Sequence, residues 1–244
     1  RMGIGYESEK GKSFAFIPAY RTDILHWIDL TEEVAIAYGY NKFEAEIPRI
    51  STIGQEDKTE KTKKVISEIL AGTGLLETST FHLISKVDAK KMHFDYKDFI
   101  EVEASKTEAN ILRIDLMSNL LKIFGENSDS SYPQKIFEVG KVFERDKDSE
   151  TGVKEIEKLA VAFCDEKVSF TDVKQILDYF FKMLDISYQI ENTEDNNYIA
   201  GRVGKIIVNK KVIGVIGEIS PRVLQNWNIR APVVSMEIDL GFLN

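Results

Sequence analysis

The stretch Tyr132–Cys164, YPQKIFEVGKVFERDKDSETGVKEIEKLAVAFC, decides how this chain is read. Ile136, Val139, Val142 and Phe143 are apolar and β-prone, and so are Leu159, Val161 and Phe163. Residues of these types suit a pleated, half-buried surface. Between the two runs, Glu144 to Lys158 is almost wholly polar, with Gly152 as its hinge. The pattern predicts a strand, a long charged loop and a second strand. Just after Phe143, where the first strand meets the loop, stands Glu144. A carboxylate in that place repels a polyanion, and more strongly in a low-dielectric pocket.

On the C-terminal side, Ser169 to Asp185 predicts an amphipathic helix. Val173, Ile176, Leu177, Phe180, Phe181 and Leu184 recur at helical spacing, and Ser169 with Asp172 forms its cap. This aromatic stripe reads as core. Tyr188–Glu191 predicts a strand. Lys205–Val208 and Val212–Gly217 predict a hairpin through Asn209-Lys210-Lys211. Ser220-Pro221 starts a helix, with proline in the first turn where its missing N–H is harmless. Val233–Leu240, VVSMEIDL, closes the chain as a strand carrying acids and no arginine.

On the N-terminal side, Asp115–Phe124 predicts a short helix with Leu116, Leu120, Leu121 and Phe124 inward, and Asn127–Ser131 a polar loop. Leu75–Ser85 and Phe99–Ala104 read as strands. Lys58–Ala71 predicts an amphipathic helix with Val65, Ile66, Ile69 and Leu70 on its apolar face, ended by Gly72 and Gly74. Its lysines, Lys58, Lys61, Lys63 and Lys64, are interleaved with Glu56, Asp57 and Glu60, as on a solvated face. Ser13–Ile17 predicts a strand entering Pro18. Altogether about seven strands, mostly in sequential hairpins with helices grouped around them, predict an α+β fold with a largely antiparallel sheet. A boundary is expected near residue 46, giving segments 1–45 and 46–244.

Tyr20–Tyr40, YRTDILHWIDLTEEVAIAYGY, predicts a further helix with Asp29 as N-cap, Glu32 as its capping partner and Gly39 as the stop. Leu30, Val34, Ala37 and Tyr38 form its apolar stripe. Asp23, Asp29, Glu32 and Glu33 cluster around its start. Hard carboxylate oxygens at that density are the donors Mg²⁺ takes, whereas the bare pattern is met equally by capping and solvation.

The chain has 244 residues, 43% hydrophobic and 30% charged, enough for one large domain or for one domain with part of another. A net charge of -8 argues against a general nucleic-acid clamp. One cysteine, Cys164, excludes an internal disulfide and reads as buried and inert. No apolar run approaches the ~20 residues of a membrane span, and no signal peptide is seen. The opening Arg1-Met2 reads as a tag remnant or the start of an excised fragment. Of the histidines, His26 and His82 read as packing residues, and His93 lies in a polar stretch that carries no signal.

Four segments together resemble the β subunit of phenylalanyl-tRNA synthetases of the archaeal and eukaryotic type: IPAYRTDILHWIDLTEEVAIAYGY (17–40), YPQKIFEVGKVFERD (132–146), FTDVKQILDYFFKMLDI (170–186) and YIAGRVGKIIVNKKVIGVIGEISPRVL (198–224). The resemblance spans essentially the whole chain. It implies the end of a winged-helix-like module over 1–45, then a class II aminoacyl-tRNA synthetase-like core over 46–244. It implies an α2β2 heterotetramer in the cytoplasm whose α subunit activates phenylalanine with ATP and loads it onto tRNA(Phe). The β chain repeats the class II fold without catalysis, and Lys58–Ala71 matches the helix that pairs with α. An upstream editing domain belongs to the family and has no counterpart here. The resemblance also assigns Asp23, Asp29, Glu32 and Glu33 to a Mg²⁺ site shared with α.

Departures from the catalytic pattern point the same way. Where class II synthetases hold the α-phosphate with an arginine, this chain has Glu144, and the last strand lacks the arginine that grips the γ-phosphate. Within ASKTEANILRI (104–114), Leu112 and Arg113 match the family, while Ile114 replaces a threonine and a proline is missing. A looser turn is expected there. Adenylate formation needs positive charge on the triphosphate, so the chain alone is expected to be inactive, with no catalytic residue. Two other functions are compatible with parts of the sequence. One is a free-standing synthetase-like protein that binds an amino acid or small molecule, with Arg113, Arg145 and Arg202 as candidate pocket residues. The other is a Mg²⁺-dependent hydrolase using the acids at 23–33, which lacks a nucleophile.

Overall fold

The computed structural model describes residues 2–49, 54–93, 99–103 and 105–243. They divide into two compact units, Arg1–Gln55 and Glu56–Asn244. In the first, β1 (Gly5–Glu9) and β2 (Lys12–Phe16) form an antiparallel hairpin through Lys10-Gly11, followed by α1 (Trp27–Tyr38). The hairpin realises the strand expected before Pro18. No described residue between 2 and 49 is buried.

The start of α1 differs from the expectation. His26 is the N-cap, and Asp29 is the third helical residue, whose carboxylate accepts from the N–H groups of Leu25 and His26, both at 2.8 Å. The capping box is therefore His26 with Asp29, three residues earlier than Asp29 with Glu32. A carboxylate at this third position can reach back to the free backbone donors, which fixes the entry of the chain. Gly39 ends the helix as expected, at φ 105°.

The second unit is α2 (Lys58–Ala71), β3 (Leu76–Glu77), β4 (Leu83–Ser85), α3 (Lys86–Lys90), β5 (Ala109–Leu112), α4 (Met117–Glu126), β6 (Gln134–Arg145), β7 (Val153–Cys164), α5 (Phe170–Met183), β8 (Gln189–Asn192), β9 (Tyr198–Val208), β10 (Lys211–Ile219), α6 (Pro221–Asn226) and β11 (Val233–Asp239). Seven strands make one sheet in the order β3-β6-β7-β11-β10-β9-β8. The fold is α+β. Only β3 runs parallel to its neighbour, so the sheet is mixed, with every other pairing antiparallel. β4 and β5 pair separately.

Side chains alternate across a strand, and the two faces carry two cores. On one face Ile136, Val142, Ala160, Ala162 and Val233 pack with Leu120, Leu121 and Phe124 of α4 and Val223 of α6. On the other, Phe137, Leu159, Val161, Val234 and Met236 pack with Ile66 and Leu70 of α2 and with Val173, Leu177, Phe180 and Phe181 of α5. The cap of α5 is Ser169 with Asp172, as expected. On α2, Val65 differs from the expected apolar face and is 48% exposed.

Three expectations give way. The central hairpin has a short loop, residues 146–152, because β7 begins at Val153 and pairs in register from Arg145↔Val153 to Gln134↔Cys164. The charged run is strand: Lys141 stands opposite Glu157 in the register and forms an ion pair with the diagonal Glu155, and opposite charges so placed across β6 and β7 support a ladder. Leu75–Ser85 is two short strands in different sheets. Thr78 donates to the Phe137 carbonyl at 2.8 Å and Thr80 Oγ1 to Glu138 at 2.7 Å, which ends β3 and turns the chain away. Over 99–104, of which Ala104 lies outside the described residues, there is no full strand but a single antiparallel bridge, Glu101 to Ile111 of β5, flanked by hydrogen bonds from Val102 N–H to the Asn110 carbonyl at 2.8 Å and from Leu112 N–H to the Ile100 carbonyl at 2.9 Å.

Candidate functional site

On the α4 side of the sheet, α4 covers one end and leaves the other open as a cleft of about 1120 Å³. Its apolar floor includes Met92, Met117, Ile156 and Val215. Period-two alternation brings Glu144 at the end of β6, Lys158 of β7, and Glu237 and Asp239 of β11 to the same cleft. Arg145, Lys147, Lys154 and Lys205 line it too. Of these cations only Arg145 was expected from the sequence as a pocket residue; the fold adds the lysines.

Most of the inner charge is already matched. Glu237 Oε1 accepts from Lys158 Nζ at 2.9 Å, and Oε2 accepts from the N–H groups of Leu116 and Met117 at 3.1 and 3.0 Å. These N–H groups open α4, where no helical carbonyl reaches them and the helix dipole favours an anion. Asp115 takes the next position: Oδ1 accepts from Ser118 N–H at 2.9 Å, while Oδ2 meets Ser118 Oγ and His93 Nε2. Burial alone would lower Lys158, but Glu237 raises its ammonium above the ordinary range. Burial alone would raise Asp115, but His93 and the Ser118 N–H bring it down to about 2. Lys205 pairs with Glu191, and Arg145 donates to the Phe99 carbonyl at 3.0 Å.

Arg113 does not line the cleft. It is buried at 1% exposure, paired with Glu138 at 2.7 Å, and donates to the Lys141 carbonyl and to Thr80 Oγ1. Gly140 leaves the room: a Cβ there would stand 2.5 Å from the guanidinium. Arg202 lies elsewhere and pairs with Glu218. His82 packs edge-on to Phe143, and burial lowers its pKa. Burial also raises the Cys164 thiol to about 11, an inert state.

The four carboxylates of the first unit do not converge. Arg21 bonds Asp23 and pairs with Glu33, holding a positive charge between them. Asp29 is engaged by two backbone donors, which lower its pKa, and Glu32 is exposed. Glu33 Oε2 is buried without a partner. Among the described residues no group of three or more acidic, histidine or cysteine side chains is placed to hold a metal. As folded, this cluster does not fit Mg²⁺, which requires several oxygens in near-octahedral array.

A family model described as the phenylalanyl tRNA synthetase beta chain CLM domain matches residues 44–240, and one for the tRNA synthetase B5 domain matches residues 1–40. The chain belongs to the phenylalanyl-tRNA synthetase β-chain family. It is 41% identical over 242 residues to the phenylalanine–tRNA ligase β subunit of Pyrococcus abyssi, covering 98% of this chain and 44% of that protein. It is 38% identical over 227 residues to that of Methanocaldococcus jannaschii, covering 92% and 41%. The chain thus spans less than half the length of these relatives.

Within this β-chain family member, sequence reasoning placed Glu144 and the acids of the last strand at the site but missed His93, Asp115, Lys158 and Glu237 as a connected group. A signal was present. Glu237 interrupts an apolar strand and Lys158 borders another, and an ionisable residue in such a setting needs a partner. Asp115 stands three residues before Ser118, the spacing of a carboxylate that caps a helix. His93 comes from a polar stretch, and only the tertiary fold reveals it. Among the described residues no helix is long and apolar enough to cross a membrane.

Proposed function

We propose that this chain is the part of a phenylalanine–tRNA ligase β subunit that builds the assembly and makes no bond itself. It docks to the α subunit of an α2β2 enzyme in the cytoplasm and helps position tRNA(Phe), while α joins phenylalanine to tRNA with ATP. Residues 46–244 serve as a class II synthetase-like core without catalysis, and 1–45 as part of a winged-helix-like module.

The observation that carries this reading is Glu237. A triphosphate needs free cations and backbone N–H groups, and here Lys158 and the first donors of α4 are consumed by the protein's own carboxylate. Glu144 and Asp239 add negative charge in the same cleft. Docking is supported by apolar surface: Val65 on α2 and Leu76 on β3 are 48% and 67% exposed.

Co-expression with a phenylalanine–tRNA ligase α chain is the test. Stable co-purification, abolished by Val65→Asp with Leu76→Asp, is expected. Two folded chains that do not associate would contradict it. A second reading, a free-standing synthetase-like binder of an amino acid or small molecule, draws on the size and apolar floor of the cleft. It requires affinity for such a ligand without α.

At Asp23, Asp29, Glu32 and Glu33 the proposal is a Mg²⁺ site that forms when Arg21 gives way. Arg21→Met should then bind Mg²⁺ more tightly than the parent chain, measured by titration calorimetry. Equal affinities would refute it.

A further inference from the structure

A second cavity, of about 920 Å³, lies where α4 ends, between α6 and the adjoining ends of β9, β10 and β11. That volume suits a small molecule. Its floor is apolar: Phe124, Ile219, Leu224 and Ile229 line it, and all four are otherwise buried in the chain.

The charged groups that line it fall into two kinds. Glu218 is already matched, since Oε2 accepts from Arg202 at 2.6 Å and Oε1 from the Phe170 N–H at 3.0 Å. Arg230 and Asp129 are not. Both line the cavity, and neither forms an ion pair or a side-chain hydrogen bond with any described residue, including each other. The cavity therefore combines an unmatched cation, an unmatched anion and an apolar floor.

Each of the three selects a chemical group. A guanidinium takes a carboxylate through two parallel N–H···O bonds. A free aspartate takes an ammonium, and the floor takes an apolar side chain out of water. A simple anion satisfies Arg230 and is repelled by Asp129, and a simple amine meets the reverse problem. A molecule with both charges on one carbon and an apolar branch answers all three.

We propose that this cavity binds a free α-amino acid with an apolar side chain, its carboxylate on Arg230, its ammonium on Asp129 and its side chain over Phe124, Leu224 and Ile229. None of the lining comes from α2 or β3, so docking to α through those elements does not use this site, and the inference stands apart from that reading. Arg230 and Asp129 are both exposed. Exposed charges contribute little each and are screened by salt, so a millimolar affinity that falls with ionic strength is expected.

The test is titration of the chain with leucine, well into the millimolar range, followed through backbone amide shifts by NMR. Saturable shifts are expected over 124–129, 199–202 and 224–230, and not at the cleft over 154–158 and 212–215. Isocaproate and isoamylamine each lack one of the two charges, and each should bind about threefold to fivefold more weakly than leucine. Glycine, which keeps both charges and has no side chain, should give no saturable shift. Arg230→Gln and Asp129→Asn are surface changes that leave the core intact, and each should weaken leucine by about the same factor. Absence of saturable shifts would overturn the proposal. So would unchanged affinity in both variants, or equal affinity for leucine and isocaproate. Shifts centred on the cleft would overturn it as well and would favour the second reading, of a small-molecule binder, instead.

Discussion

Arg113 shows what one residue does in this fold. Its guanidinium meets Glu138, Thr80 and the Lys141 carbonyl, and Thr80 Oγ1 also accepts from Asn119 Nδ2 at 2.6 Å. The group thus joins the turn after β3, the strand β6 and the start of α4. Buried ion pairs of this kind give little net stability against an apolar replacement, but a lone survivor is expensive. Arg113→Met should lower the unfolding free energy in urea by roughly 3–5 kcal/mol, because Glu138 is left buried and unpaired. Arg113→Met with Glu138→Leu should recover a good part of it. Equal losses for the single and double variants would show that the pair itself, and not the orphaned charge, matters.

Among elements, the helices were legible where local rules and tertiary needs agree. α2, α4 and α5 each combine a regular apolar stripe with a recognisable start or stop, and they sit where the pattern places them. The β9–β10 hairpin was legible for a similar reason, though its turn is tighter than expected: Asn209 and Lys210 alone form it, at φ 50° and 66°. That geometry favours Asn-Gly, and lysine is strained in it by roughly 1 kcal/mol. Lys210→Gly should therefore raise the urea midpoint by about 1 kcal/mol in equivalent free energy, and Lys210→Val should lower it. A drop on introducing glycine would mean that the turn is held from outside the hairpin. The extension of β7 through charged residues and the division of Leu75–Ser85 were not legible. Cross-strand pairing of Lys141 with Glu155 and capture of Thr80 by Glu138 depend on residues distant in sequence. The site followed the same divide. Glu144 could be read from its place after Phe143, whereas His93 and Lys158 acquire meaning only once α4, β7 and β11 meet.

At the scale of the molecule, the second unit is a sheet with helices on both faces and an open cleft on one of them. That shape is suited to a ligand, but its inner electrostatics are satisfied from within. Carboxylates from β11 and from the start of α4 take the donors that an anionic substrate would need. A net charge of -8 works against a polyanion over longer range as well. The most direct measurement is calorimetric titration of this chain with Mg²⁺–ATP, alone and with phenylalanine. No heat beyond dilution is expected at any concentration up to the millimolar range. A saturable isotherm with a micromolar Kd, lost on placing a bulky side chain in the cleft, would contradict the account.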